Sequence, residues 1–294
     1  MTKETLAVQQ YDNRVNFVGE SPLWHPLRST LYWVDFPNNL LMGKNDNESI
    51  EYTFDEMVTA IGWIDELHLL IATATGLYQF NLESKQKSLV VHVEHELQSN
   101  RSNDGRADPW GGFWIGTMNT DAKADEGAFY RYYHGELRKV IPDLSIPNGV
   151  CFDLSRQRCY FTDSAKQQIY VIALDANTGW PIQDAVNATL FYDFSNTAVS
   201  PDGGIVDADG NLWVSLWDGG AVMCISPDGV ELKRILVGTP RATCPAFGGD
   251  EAQLLFTTTA ACGLEDEAIT QVIHGATLLV MEKVNGVFEP AVKM

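Results

Sequence analysis

Four residues share both a chemistry and a position in the chain's internal phrasing. Counting back 12 or 13 residues from Trp33, Ile115, Phe161 and Val214 reaches Glu20, Asn103, Asn148 and Asp202. Each offers side-chain oxygen, two as carboxylates and two as amides. The same count of 12 from Ile71 and Phe256 reaches Thr59 and Cys244. Two carboxylates brought close together repel each other, and a cation relieves that repulsion. Oxygen donors suit Ca2+ best, with Mn2+ or Mg2+ next and Zn2+ a less natural guest. Asn148-Gly149 and Asp202-Gly203 are each also ordinary turn dipeptides. Their shared register singles them out: "IPNGVCFD" from Ile146 and "SPDGGIVD" from Ser200 are versions of one phrase. Glu20, in "GES", carries no turn signature at all.

The elements that would bring these residues together are short strands. The residues counted from are the third members of "LYWVD" (31–35), "LLIAT" (69–73), "FWIGT" (113–117), "CYFTD" (159–163), "LWVSL" (212–216) and "LLFTT" (254–258). They lie 38, 44, 46, 53 and 42 residues apart. A further β-branched or aromatic run follows several of them, as in "TGLYQFNL" and "QQIYVIALD", and Asp-Gly turns such as "DADGN" stand before others. Six units of this length match the blades of a β-propeller, about four strands each. A parallel β-helix would need a shorter repeat, and a two-sheet sandwich has no reason for six units. The expectation is an all-β, six-bladed propeller in one domain, 1–294. The strand near Thr5–Tyr11 would pair with the last blade and close the ring, which removes an exposed edge. The first strand of each blade lines a propeller's channel, so the oxygen-bearing positions would converge on one axis.

Composition excludes several partners. The chain is 45% hydrophobic and 20% charged, able to bury a core, and its formal net charge is −19. Such a surface repels nucleic-acid phosphates and anionic membranes. No apolar run has the length of a signal peptide or a membrane span, so the expected setting is soluble and cytoplasmic. The five cysteines form no CxxC pair and read as reduced, mostly buried thiols.

"GESPLWHPLRSTLYWVD", "RSNDGRADPWGGFWIGTM", "IPNGVCFDLSRQRCYFTDS" and "PDGGIVDADGNLWVSLWDGG" together resemble the SMP-30/gluconolactonase/luciferin-regenerating-enzyme family, in order over roughly residues 14–264. The resemblance implies a six-bladed propeller with one divalent ion in its channel, ligated by Glu20, Asn148 and Asp202. It implies that Arg101 and Asn103 bind the substrate's polar oxygens. Asp121, after "GTMN", stands where the family often places an acidic substrate contact, more usually Glu. The implied activity is hydrolysis of sugar-acid lactones. Alternatives on the same ion are phosphotriester hydrolysis and calcium binding without catalysis.

A lactone is a cyclic ester. A cation with open coordination positions can polarise its carbonyl and acidify water, and Asp202 is the candidate base. Taken without the resemblance, Arg101 reads as a surface ion-pair partner, Asn103 as a turn residue, and Trp24 and Trp217 as core. His25 reads as a packed turn residue and His92 and His95 as a solvated loop. "DADGN" lacks the rest of an EF-hand and reads as a hairpin turn. No GxSxG, HExxH, P-loop or GxGxxG is present.

Overall fold

Each of the six sequence phrases marks the second strand of a four-stranded antiparallel sheet, and the six sheets follow one another along the chain. The computed structural model describes residues 7–182, 187–264 and 272–294. Blade 1 consists of β2 (Gly19–His25), β3 (Thr30–Asp35), β4 (Leu40–Lys44) and β5 (Ser49–Thr53). Blade 2 is β6 (Val58–Trp63), β7 (His68–Thr73), β8 (Gly76–Asn81) and β9 (Lys87–His92). Blade 3 is β10 (Asn100–Ala107), β11 (Phe113–Asn119), β12 (Gly127–Tyr133) and β13 (Glu136–Leu144). Blade 4 is β14 (Pro147–Asp153), β15 (Arg158–Asp163), β16 (Gln168–Ala173) and β17 (Thr189–Asp193). Blade 5 is β18 (Ser200–Val206), β19 (Leu212–Trp217), β20 (Ala221–Ile225) and β21 (Glu231–Leu236). Blade 6 takes β22 (Ala242–Gly248), β23 (Leu254–Thr259) and β24 (Thr277–Val280), and its outer strand is β1 (Val8–Asp12). β1 pairs antiparallel with β24, so the N-terminal segment closes the ring; Thr5 and Leu6 of the expected strand lie outside the described residues.

Burial falls from the channel outward. The inner strand β22 is buried along its whole length, whereas the outer strand β5 alternates between exposed and half-buried. Apolar clusters fill the spaces between blades, such as Cys151, Tyr160 and Ile169 of blade 4 against Val214, Leu216 and Met223 of blade 5. Burying each such side chain contributes roughly 1.5–3 kcal/mol.

Two recurring aspartates explain the polar ends of the phrases. Asp35 closes "LYWVD" and accepts the amides of Phe17 and Val18, both at 3.0 Å. Asp163 closes "CYFTD" and accepts those of Ser145 and Ile146 at 3.0 and 3.1 Å. Each carboxylate thereby fixes the chain just before its own blade's inner strand. At the other end, Asp108 and Asp207 accept turn amides and also the indole N–H of Trp114 and Trp213, six residues on, at 3.0 and 2.9 Å. "DADGN" is therefore a hairpin turn tied to the core.

The feature that positions the site is a bulge. In all six inner strands one extra residue interrupts pairing with the second strand, between Glu20 and Leu23, Val58 and Ala60, Ser102 and Gly105, Asn148 and Cys151, Pro201 and Gly204, and Ala242 and Pro245. A bulge bends its strand and re-aims the side chains around it. It also accounts for the two counts in the sequence. Asn103 and Asp202, at 12, sit inside the bulge. Glu20 and Asn148, at 13, are the last paired residues before it, and each precedes a left-handed residue, Ser21 (φ 48°) or Gly149 (φ 60°).

Candidate functional site

Glu20, Thr59, Asn103, Asn148 and Asp202 line a single cavity of about 450 Å3, together with Arg101 and Asp104. Phe36, Met118, Ile146 and Trp217 supply much of its apolar wall. Cys244 belongs to the same level of the channel: its Sγ and one carboxylate oxygen each from Glu20 and Asp104 lie within 4.8 Å of one another.

A chain of hydrogen bonds fixes the polar side chains. Arg101 Nη1 donates to Asn103 Oδ1 at 2.8 Å and to the Ser102 carbonyl at 2.8 Å. Asn103 Nδ2 donates to Asn148 Oδ1 at 2.9 Å and to the Pro147 carbonyl at 3.0 Å. Asn148 Nδ2 donates to Ser164 Oγ at 2.9 Å, and Ser164 Oγ donates to the Pro201 carbonyl at 2.6 Å. The sequence of donors assigns both amide orientations. Asn148 Oδ1 accepts one hydrogen bond and keeps a second lone pair.

The electrostatics are those of crowded anions. The Glu20 carboxyl lies deep in the molecule but opens on the cavity, and burial and then the charge of Asp104 push its pKa up to about 8. Asp202, 6% exposed, is raised well above the usual carboxylate range by burial and then by Glu20 and Asp104. Burial lowers the pKa of Arg101, against the pull of Glu20. Three facing carboxylates with one half-buried guanidinium and an amide oxygen make a donor set that fits a hard divalent cation. Glu20, Asn148 and Asp202 are the residues that could hold it.

Among the described residues Arg101 forms no ion pair within 4 Å; its guanidinium lies 4.9 Å from the Phe36 ring centre, inside the cavity rather than on the surface. Asn103 bonds across to blade 4 instead of capping its own turn. Trp217 forms cavity wall, backed by the Arg241 guanidinium at 4.8 Å. Trp24 is stacked on Phe256 in the core at 5.8 Å, and His25 is buried with Nε2 3.0 Å from the Asp65 carbonyl oxygen. Asp121 is not brought to the cavity. Its amide donates to Asn119 Oδ1 at 2.8 Å, in a turn that leaves residues 120–126 exposed.

Asp104 is the residue that reading one position per blade passes over. It follows Asn103 inside the bulge, where two consecutive residues can face the channel side. Its signal in the sequence is the acidic partner in "SNDG".

Fold and site together define a class: a six-bladed propeller whose inner-strand bulges gather acids and amides around one channel cavity. The chain belongs to the SMP-30/Gluconolactonase/LRE-like family, whose pattern matches residues 18–261. It is 32% identical to an L-arabinolactonase of Azospirillum brasilense, over 91% of this chain and 89% of that one. It is 27% identical to a 6-deoxy-6-sulfogluconolactonase of Pseudomonas putida, covering 93% and 94% of the two chains. Among solved structures, a calcium-binding protein, regucalcin, from Agrobacterium tumefaciens superposes with a TM-score of 0.94 at 32% identity, covering 98% of each chain.

Proposed function

We propose that the protein is a divalent-cation-dependent lactonase that opens sugar-acid lactones to the free acids. The observation that carries this reading is the meeting of Glu20, Asn148 and Asp202 with Arg101 and Asn103 in one cavity. Metal storage alone does not call for a guanidinium beside the acids. The lactonases among its relatives and the calcium-binding structural neighbour support the same reading. The cavity falls within the range of small-molecule sites, roughly 300–1,000 Å3.

Glu20, Asn148 and Asp202 hold the ion, Ca2+ by their oxygen chemistry, with Mn2+, Mg2+ or Zn2+ as substitutes. When bound, the ion polarises an ester carbonyl and acidifies water. Arg101 and Asn103 orient the lactone through its ring and hydroxyl oxygens. Asp202 takes the proton of the attacking water as the carbonyl carbon gains its new C–O bond. The ring C–O bond then breaks, and the departing alkoxide receives the proton that Asp202 took, giving the hydroxyl of the open acid and restoring the carboxylate. Asp121, exposed and outside the cavity wall, has no part in this reading.

A pH-indicator panel of aldonolactones and phosphotriesters in the presence of Ca2+ tests it. Lactone opening well above the phosphotriester rates is expected. Phosphotriester turnover without lactone opening would move the reading to the other ester class, and no turnover of either would leave a calcium-binding propeller.

A further inference from the structure

Asp104 lies in the wall of the proposed site, yet neither sequence register nor the chain's hydrogen bonding gives it a task. It is 4% exposed, and neither of its carboxylate oxygens has a hydrogen-bond partner. The amides of Gly105, Gly149 and Val150 lie beside it and favour its charge, but none meets it with hydrogen-bond geometry. The Arg106 guanidinium bears on it electrostatically but does not hydrogen-bond it: Nη1 pairs with the buried Glu289, Nη2 donates to Cys244 Sγ at 3.5 Å, and Nε has no hydrogen-bond partner. A buried carboxylate left unpaired is among the most unfavourable arrangements in a protein interior, and it signals a partner supplied from outside the chain. One of its oxygens already stands within 4.8 Å of a Glu20 oxygen.

We propose that Asp104 is a fourth oxygen donor of the cation site, joining Glu20, Asn148 and Asp202 and bringing the charge of the donor set to −3. The proposal rests on the divalent-ion reading above and adds to it a residue and a selectivity. Three carboxylates around one ion favour higher cation charge, because the attraction scales with the product of charges. Trivalent lanthanides should therefore bind more tightly than Ca2+. Cys244 shares the level but is not a donor, since its sulfur is held by Arg106.

The test is calorimetric titration of Ca2+ and of Tb3+ into chelator-stripped wild type, Asp104→Asn and Cys244→Ser, with circular dichroism to verify folding. Asp104→Asn should weaken Ca2+ about tenfold or more, as loss of an ion-supporting carboxylate does, and weaken Tb3+ by a larger factor. Cys244→Ser should leave Ca2+ affinity within twofold. Asp104→Asn with Ca2+ affinity within twofold of wild type, or with equal losses for the two ions, would overturn the proposal. A second measurement needs no variant: the infrared difference spectrum on adding Ca2+ to wild type should show three carboxylates perturbed, and a change accounted for by two would contradict it. A wild type that binds neither ion would remove the ion reading itself, whereas binding without dependence on Asp104 would remove only this proposal.

Discussion

At the scale of residues, the site is a set of oxygens whose directions are set by hydrogen bonds one step removed. Ser164 illustrates this: its hydroxyl accepts from Asn148 and donates to the Pro201 carbonyl, so it leaves the Asn148 amide a single orientation. Ser164→Ala removes one of the two hydrogen bonds that orient that amide, leaving only the one from Asn103 Nδ2 to Asn148 Oδ1. Ca2+ affinity measured by calorimetry should then fall by roughly 10-fold, with unfolding stability lowered by only about 1 kcal/mol. Glu20, Asn103, Asn148 and Asp202 were readable from the sequence as neighbours because a spacing of 12 or 13 residues from a strand phrase places each at its blade's inner-strand bulge. Asp104 was not, since a count that selects one residue per blade cannot see that a bulge presents two. Trp217 reads as core in the sequence, and Arg101 is expected at the substrate only through the family resemblance. Residue type alone favours core for a tryptophan and surface for an arginine, and only the blades' arrangement shows that both face a cavity.

At the scale of elements, the inner-strand bulge is the device that turns a regular repeat into a site. Blade 4 states its demand most sharply. Gly149 has φ +60°, and a Cβ there would stand 2.7 Å from the Asp202 carbonyl oxygen and 2.8 Å from Thr162 Cγ2. Gly149→Ala should destabilise the protein by about 1–3 kcal/mol in urea unfolding, the range for a strained left-handed residue. It should also weaken Ca2+, because the backbone it displaces carries Asp202. The strands themselves were legible as aromatic and β-branched runs. Their bulges were legible only as an unexplained difference between counts of 12 and 13. Pairing register is a property of two strands, and a single strand's sequence does not display it.

For the molecule as a whole, six blades followed from periodicity, and closure by the N-terminal strand followed from the need to remove an exposed edge. The C-terminal segment did not, because it belongs to no repeat. It reaches the ends of the inner strands away from the candidate site, where Trp63 Nε1 donates to the Glu289 carbonyl at 2.8 Å and the Glu289 side chain pairs with Arg106. No helix among the described residues is long and apolar enough to cross a membrane. The concentration of acids at the channel has a pH signature in the ion-free protein. A carboxyl whose folded pKa exceeds its unfolded value favours folding while protonated. For Glu20 that contribution is fully present below 4.5 and is lost as pH rises through about 8. Asp202 shifts in the same direction. In chelator, the melting temperature should therefore decline between pH 5 and pH 8, and saturating Ca2+ should flatten the decline. The most direct test of the whole account is the rate of proton release from an aldonolactone as Ca2+ is titrated into chelator-stripped protein, alongside Glu20→Gln. The account predicts a rate that saturates at one ion per chain, with the variant remaining at the uncatalysed background. A stripped protein that opens the lactone as fast as the reloaded one would contradict it.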